Sequence, residues 1–311
     1  MSKKPWLVPV AFLLVYVIWG STYLAIAKAI ETIPPLVMAG VRFVVAGAAL
    51  YAVARLLGAP KPARGEWRPA IVVGVFLLLG GNGGVVLAQQ SVPTGLTALI
   101  VAATALWMAL FEALRPGGRW PRWQAGVGLL GGLAGVGFLL GHKGEGRIDP
   151  FGAACLVAAS ISWALGSIYA KGARLPKSPF VATAVEMMAG GVALVAAAGV
   201  TGQWGDLSLA NVSGSSLLAM GYLAVFGSIV AFTAYVWLLS VKPPSLVATY
   251  AYVNPVVAVI LGVVFLHEKL TTTMVIAAGA VLASVAVITA FSTRNRNVPS
   301  PVRPQVMTAD R

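Results

Sequence analysis

VIWGSTYLAIAK, residues 17–28, and SISWALGSIYAK, residues 160–171, are two similar phrases within one chain of 311 residues. In both, a tryptophan is followed by serine, tyrosine, alanine and lysine in the same order. Trp19 and Trp163 are 144 positions apart, which is close to half of the chain. The spacing predicts that the chain consists of two related halves.

The composition places both halves in lipid. Only 10% of the residues are charged and 59% are hydrophobic, whereas a soluble domain carries about 25% charged residues. The apolar runs have the length that a helix needs to cross a bilayer, and they lack the alternation of a β-barrel. The sequence therefore predicts an all-α polytopic membrane protein. A single cysteine, Cys155, excludes an internal disulfide framework.

Proline, glycine and charged residues divide the apolar runs into ten predicted transmembrane helices. The predicted spans are 6–30, 33–57, 67–91, 94–115, 121–141, 150–172, 179–201, 214–240, 244–266 and 271–292. The first span is longer than the apolar region of a cleaved signal peptide, so we expect it to be retained. The polar residues that follow, 293–311, are expected to form a disordered cytoplasmic tail.

The distribution of Lys and Arg predicts the orientation of these helices. With the N-terminus inside, seventeen of the 22 lie on the cytoplasmic side. The opposite side has only Lys28, Lys143, Arg147 and Lys269. This bias predicts that both termini are cytoplasmic, and it explains the net charge of +13 without a nucleic-acid partner.

The repeat predicts a first domain over 1–145 and a second over 146–292, with five helices in each. The offset of 144 also aligns Arg42 with Glu186. Because five is odd, the second half enters the membrane in the opposite direction. Inverted repeats of this kind are typical of secondary transporters, with the substrate site near the midplane. A duplication retained only for stability is the alternative.

Four stretches carry a family resemblance: IWGSTYLAIAKAIETIPPLVMAGVRF, SISWALGSIYA, GYLAVFGSIVAFTAYVWLLS and TYAYVNPVVAVILGVVFLHEKL. Together they resemble the EamA family of the drug/metabolite transporter superfamily, in particular its bacterial inner-membrane exporters of the YedA and YddG type. The resemblance covers about 10–290 and implies a ten-helix inner-membrane exporter of amino acids or related metabolites that does not use ATP. The second half has the family's Pro-to-Glu ending at Pro255 and Glu268, whereas the first has Ala105 and Gly118 there.

Aromatic and hydroxyl side chains share one face of the first and sixth helices. Trp19 and Tyr23 lie on one face of the first helix, and Trp163 and Ser167 lie on the matching face of the sixth. Trp19 is near the midplane, away from the interfaces where lipid-facing tryptophan concentrates. We therefore expect Trp19 and Trp163 to face one another across a central substrate cavity. Simple helix packing is the alternative.

The segment LLLGGNGGVVLAQQ, residues 77–90, has four glycines around Asn82. This pattern favours a broken helix that exposes backbone groups to substrate, a close helix contact through Gly80 and Gly84, or both. The Asn82 amide is costly in lipid, so we expect it to face the interior.

The segment AYVNPVV, residues 251–257, places Asn254 and Pro255 in the middle of the ninth span. Proline frees a backbone carbonyl, and Tyr250 shares a face with Asn254. Tyr250 and Asn254 are therefore predicted to line the cavity. A kink that serves packing alone is the alternative.

Two ionisable residues, Arg42 and Glu186, lie deep within predicted spans, where a charge is a functional hypothesis by default. They fall on opposite sides of the midplane, so we do not expect a direct ion pair. Each is predicted to stabilise its own half by binding nearby backbone or hydroxyl groups, and Glu186 is the candidate for proton coupling.

These features favour a secondary transporter that exports amino acids by alternating access, with broad specificity that includes aromatic and other neutral ones. A multidrug or other metabolite exporter of the same fold is the first alternative. An intramembrane enzyme and a channel follow, because the predicted spans contain neither a catalytic constellation nor a ring of like charges. No metal or cofactor is predicted. The expected partners are the small-molecule substrate and the bilayer, and the oligomeric state is left open.

Overall fold

The computed structural model describes residues 6–115, 123–141 and 149–293. Within these ranges the chain is helical and contains no strand, as the sequence predicts. The predictions for the two termini, for the tail beyond residue 293 and for Gly118 concern residues outside the described ranges.

The helical segments follow the predicted spans, with every end within about three residues of its prediction. They are α1 (Leu7–Ala29), α2 (Pro35–Leu56), α3 (Arg64–Ala88), α4 (Thr94–Leu114), α5 (Trp123–Gly141), α6 (Pro150–Gly172), α7 (Pro179–Val200), α8 (Gly214–Val241), α9 (Pro244–Val247 with Tyr250–Leu266) and α10 (Thr272–Thr293). Helix α4 is interrupted at 102–103, and a 3₁₀ turn over Leu209–Asn211 precedes α8. In the described part of the chain, seven helices are long and apolar enough to cross a membrane: α1 to α4 and α6 to α8.

Proline determines where several helices begin. Pro35, Pro150, Pro179 and Pro244 each lie in the first turn of their helix, where the missing N–H removes no intrahelical hydrogen bond. Helix α6 is also capped by Asp149, whose carboxylate accepts a 2.9 Å hydrogen bond from the Gly152 N–H. These four helical segments therefore begin at well-defined residues.

Helices α2 and α7 pack along one another through glycines. A Cβ added at Gly191 would lie 2.7 Å from the Val44 amide nitrogen, and one added at Gly40 would lie 2.9 Å from the Val195 amide nitrogen. The two backbones are therefore in direct contact, the arrangement that small residues allow between membrane helices.

The other helices pack in a regular pattern of contacts. Helix α5 packs against α10, and α4 packs against α9. Helix α6 contacts α3 and α4, while α1 contacts α8 and α9. Contacts of α3 with α7 have a counterpart in contacts of α8 with α2.

Glu268, the last residue of the Pro-to-Glu ending, caps α4, a helix of the other predicted half. Its two carboxylate oxygens accept hydrogen bonds of 2.7 Å from the Thr94 N–H and 3.2 Å from the Gly95 N–H, at the start of α4. The preceding His267 has a φ of 55°, which turns the chain sharply after α9. A carboxylate at a helix N-terminus is favourable because it pairs with unbonded N–H groups and with the helix dipole. Glu268 thus ties α9 to α4.

Candidate functional site

A cavity of about 80 Å³ lies in the interior between α1, α2, α3, α6, α8 and α9. We call it the Trp19 cavity. Six of the seven predicted substrate-binding residues line it: Trp19, Tyr23, Asn82, Trp163, Tyr250 and Asn254. Arg42 and Phe232 also contribute to its wall. Residues from both predicted halves therefore meet at one site.

Five aromatic rings pack against one another beside this cavity, and we call them the aromatic layer: Trp19, Trp163, Phe232, Tyr235 and Tyr250. The Trp19 and Trp163 rings meet edge to face, with centroids 5.4 Å apart and an interplanar angle of 87°. The Trp19 ring also lies 4.8 Å from Tyr235 and 5.3 Å from Tyr250, centroid to centroid. Trp19 and Trp163 thus face one another in direct contact rather than across a cavity, and their role in substrate binding stays a prediction.

Hydrogen bonds fix the orientation of both indoles. The Trp19 Nε1–H donates to the Gly227 carbonyl at 3.2 Å, and the Trp163 Nε1–H donates to the Tyr235 hydroxyl at 2.9 Å. Trp19 and Trp163 are both half-buried, whereas Tyr235 is fully buried. A bonded indole presents its π-face, rather than its polar edge, to whatever occupies the cavity.

Ser167 is the predicted site residue that does not line the Trp19 cavity. Its side chain is fully buried, and its hydroxyl lies 2.7 Å from the Tyr235 hydroxyl and donates to the Trp163 carbonyl at 2.7 Å. The helical spacing placed Ser167 on the correct face of α6, but Tyr235 of α8 stands between it and the cavity. Ser167 therefore supports the aromatic layer from behind.

Asn82 and Arg42 form the polar wall of the cavity. The Arg42 Nη2–H donates to the Asn82 Oδ1 at 2.9 Å, and the guanidinium carbon lies 4.2 Å from the centroid of the Phe43 ring. Arg42 is only 3% exposed, and its Nε–H has no hydrogen-bond partner in the described part of the chain. The prediction that Arg42 binds backbone or hydroxyl groups is thus wrong in detail, because a side-chain amide is its partner.

Asn254 links α9 to α1. With its amide oriented to satisfy its surroundings, the nitrogen donates to the Tyr16 carbonyl at 3.0 Å and to the Tyr250 carbonyl at 3.2 Å. The Tyr16 hydroxyl in turn lies 2.6 Å from the Thr249 hydroxyl. These bonds hold the wall of the cavity at the point where α9 is interrupted.

The glycine-rich segment does not break α3, so the prediction of a broken helix is wrong. Instead α3 is wound as a π-helix over Val75–Asn82. The alternative, a close helix contact, is confirmed: a Cβ at Gly84 would lie 2.7 Å from the Cys155 carbonyl oxygen of α6, and one at Gly81 would lie 2.6 Å from the Trp163 ring. The wider turn accommodates α6 without interrupting the helix.

A second π-helical segment, Leu223–Phe232, lies in α8. Each π segment accepts a hydrogen bond from a side chain of the other predicted half: Ser162 donates to the Phe76 carbonyl at 2.7 Å, and Trp19 donates to the Gly227 carbonyl. Wide π turns distort the regular backbone bonding and recur at functional sites. Here they receive polar side chains beside the aromatic layer.

Glu186 lies in a different cavity, of about 260 Å³, which we call the Glu186 cavity. It opens where α6 and α8 end and α7 begins, and Leu77, Lys171, Lys177 and Val236 are among its walls. Glu186 is fully buried, and both of its carboxylate oxygens lack a hydrogen-bond partner in the described residues. The expectation of stabilising bonds at Glu186 is therefore wrong. As expected, no ion pair joins it to Arg42 in this part of the chain.

Two central residues, Phe232 and Tyr235, are not among the site residues that the sequence predicts. They are spaced by three, so they share a face of α8, and this is the same signal that singled out Trp19 and its neighbours. In a helix as rich in aromatic and aliphatic side chains as α8, that signal does not stand out.

Comparison with known proteins identifies the family. A model of the EamA-like transporter family matches residues 6–141 and again residues 150–290. The chain belongs to the EamA-like transporter family. It is accordingly a multi-pass inner-membrane transporter of small molecules rather than an enzyme.

Two relatives from Escherichia coli strain K12 extend this result. The chain is 41% identical over 280 residues to the uncharacterized inner membrane transporter YedA, covering 90% of this chain and 89% of YedA. It is 28% identical over 300 residues to a probable amino-acid metabolite efflux pump, covering 87% of this chain and 90% of the pump. A solved crystal structure shares the fold with a TM-score of 0.68 at 22% identity, over 93% of this chain and 98% of that one.

Proposed function

We propose that this protein exports amino acids from the cytoplasm by alternating access, with the Trp19 cavity as the substrate site. One observation carries the proposal. The Trp19 cavity and the Glu186 cavity share no lining residue, and their linings divide at the aromatic layer: Leu78 borders the first while Leu77 borders the second, and Phe232 and Val236 divide in the same way. A route blocked by one thin layer of side chains is the geometry that alternating access requires.

A ten-helix arrangement of two inverted halves, 1–145 and 146–292, underlies the mechanism. The contacts between helices support it. When each helix is replaced by the helix five places along the chain, counted cyclically, the α1–α9 contact becomes the observed α6–α4 contact. In the same way, the α3–α6 contact becomes the observed α8–α1 contact. The two π segments also occupy equivalent positions in α3 and α8. The separate family matches over 6–141 and 150–290 support the same division.

The direction of the helices follows from the Lys and Arg bias. Both termini and the tail over 293–311 are then cytoplasmic. The Glu186 cavity opens toward the cytoplasm, and the Trp19 cavity lies nearer the outer face. In the alternate state the two halves rock about the α2–α7 contact, which is the most extensive helix contact between them.

The chemistry of the Trp19 cavity suits an amino acid. The guanidinium of Arg42, with an Nε–H left unbonded, can pair with a carboxylate. The faces of Trp19 and Tyr250 can hold an ammonium group by cation–π attraction or an apolar side chain by contact. The amide of Asn82 adds a polar contact. The similarity to a probable amino-acid metabolite efflux pump supports the substrate class.

Counterflow in proteoliposomes tests the proposal. Purified full-length protein is reconstituted with unlabelled leucine inside, and the entry of labelled leucine is measured. We expect saturable entry that depends on internal leucine, and a loss of at least tenfold in Trp163→Ala. The matched control is Trp123→Ala, whose side chain is 75% exposed on α5, and it should behave as the wild type.

Three results would contradict the proposal. A folded wild-type protein that exchanges no amino acid would remove the substrate class. Flux that does not saturate and does not depend on internal leucine would indicate a channel. Covalent change of the solute would indicate an enzyme.

A further inference from the structure

The Glu186 cavity contains a carboxylate in an unusual setting. Glu186 lies about two helical turns inside α7, behind a wall of aliphatic side chains from α3, α6 and α8. Its side chain is 0% exposed and its two oxygens have no hydrogen-bond partner in the described residues. A buried carboxylate is costly unless a proton, a cation or hydrogen-bond donors compensate it. No donor of the described chain does so, although the side chain borders a cavity of about 260 Å³.

The mouth of the same cavity is basic. Lys171 and Lys177 contribute to its walls, and both are exposed at the end of the bundle where α6 finishes and α7 starts. The Lys171 ammonium donates to the Leu239 carbonyl at 3.0 Å and to the Lys242 carbonyl at 3.1 Å, so it is held at the rim. The charge in this cavity therefore runs from positive at the mouth to a carboxylate at depth.

We propose that the Glu186 cavity is a cytoplasm-side entry subsite that binds a zwitterionic solute by its primary ammonium group, with Glu186 as the acceptor. The rim lysines attract the carboxylate of the solute, and the aliphatic wall formed by Leu77 and Val236 contacts its side chain. The identification of the solute as an amino acid rests on the proposed function. The subsite itself rests on the unpaired carboxylate and the cavity beside it.

The position of Glu186 relative to Arg42 gives the subsite a place in the transport route. The two residues align in the repeat, yet they have opposite charges and line two separate cavities. The solute first binds Glu186 through its ammonium group. It then crosses the aromatic layer, and its carboxylate binds Arg42. The two cavities thus recognise the two ends of one zwitterion in succession.

Carbodiimide labelling tests this proposal independently of transport. The full-length protein in liposomes is treated with a hydrophobic carbodiimide, which modifies buried carboxyl groups, and modification of Glu186 is measured by mass spectrometry with Glu268 as the internal reference. We expect leucine to slow the modification of Glu186 at least tenfold. N-acetylleucine, which keeps the carboxylate and the side chain but has no ammonium group, should not protect it.

Counterflow with variants provides the second arm. Glu186→Gln should raise the half-saturating cytoplasmic-side leucine concentration about tenfold, and Glu186→Asp, which retains the charge, should restore most of the affinity. Equal protection by leucine and N-acetylleucine, protection by neither, or no modification of Glu186 at all would overturn the subsite; protection by neither is the result expected of a carboxyl group that only carries protons. Leucine protection without wild-type counterflow would remove the export proposal and leave the subsite in place.

Discussion

Arg42 is a buried cation that the protein retains at the centre of an apolar bundle. Its guanidinium has the Asn82 oxygen as a partner at 2.9 Å and the Phe43 ring on one side, while its Nε–H is left without a partner in the described chain. A buried polar group that is only partly satisfied calls for an explanation. We propose that the substrate carboxylate completes the bonding of Arg42.

Asn82→Ala should destabilise the protein by about 1–3 kcal/mol, because it leaves a buried guanidinium without its acceptor. It should also lower leucine counterflow. Gln90→Ala is the matched control: Gln90 is an exposed amide of the segment that follows α3, and its loss should change stability by less than about 0.5 kcal/mol. Thermal unfolding in detergent measures both. If the Asn82→Ala protein is as stable as the Gln90→Ala protein, the Arg42–Asn82 hydrogen bond does not contribute measurably to stability.

The contact between α2 and α7 is the most extensive contact between two helices in the described part of the chain. Gly191 has no room for a side chain, since a Cβ there would press on the Val44 backbone. Gly191→Ala should therefore destabilise the protein by about 1–3 kcal/mol through overpacking. Gly279→Ala is the matched control, because Gly279 is also inside a helix but has nothing within 4 Å of an added Cβ.

The control should be neutral or stabilising by about 0.5–1 kcal/mol, since alanine favours the helix over glycine. Thermal unfolding of the two variants side by side decides the outcome. Equal effects of the two substitutions would mean that α2 and α7 can separate at little cost. The rocking of the two halves about this contact would then need another axis.

The N-terminus of α6 gives the protein a dependence on pH. The Gly152 N–H and the Ser91 hydroxyl both donate to the Asp149 carboxylate, and these bonds lower its pKa below the ordinary value. A lowered pKa means that the carboxylate stabilises the fold at neutral pH, and that this contribution is lost as the pH falls below about 4 through the folded-state value.

Asp149→Asn retains an oxygen that can cap α6, but it cannot titrate. We therefore expect the thermal stability of the wild type to fall more steeply between pH 5 and pH 3, roughly the range in which a carboxylate titrates, than that of Asp149→Asn. Parallel curves for the two proteins would contradict a stabilising role of the charged form.

Helix ends and helix interiors differ in how far they could be predicted. The ends were predictable because proline, glycine and charge mark them, as at Pro35 and Pro150. The π segments in α3 and α8 were not predictable, because a largely apolar stretch such as VFLLLGGN can form an α-helix or a π-helix with the same composition. Only the glycines hinted that something unusual occurs there.

At the scale of the whole molecule, the repeat in the sequence predicted that Trp19 lies opposite Trp163, and polarity within apolar helices pointed to Asn82 and Asn254. It could not place Ser167, whose hydroxyl is taken by Tyr235 of a helix that is distant in the chain. A helical wheel gives the face of one helix on which a residue lies. It does not give the side chain of a neighbouring helix that packs against that face.

Alternating access requires the Trp19 cavity and the Glu186 cavity to open in turn. The chain has one cysteine, Cys155, so a Cys155→Ala background can accept one reporter at a time. Thr22→Cys reports on the Trp19 cavity, and Ala182→Cys reports on the Glu186 cavity. A membrane-impermeant thiol reagent is applied from each side of oriented vesicles, with and without leucine.

The account predicts that Thr22→Cys is labelled from the outer side and Ala182→Cys from the cytoplasmic side. Addition of leucine should then change the two labelling rates in opposite directions, because opening one cavity closes the other. Labelling of both positions from the same side, or rates that rise and fall together when leucine is added, would contradict alternating access in this protein.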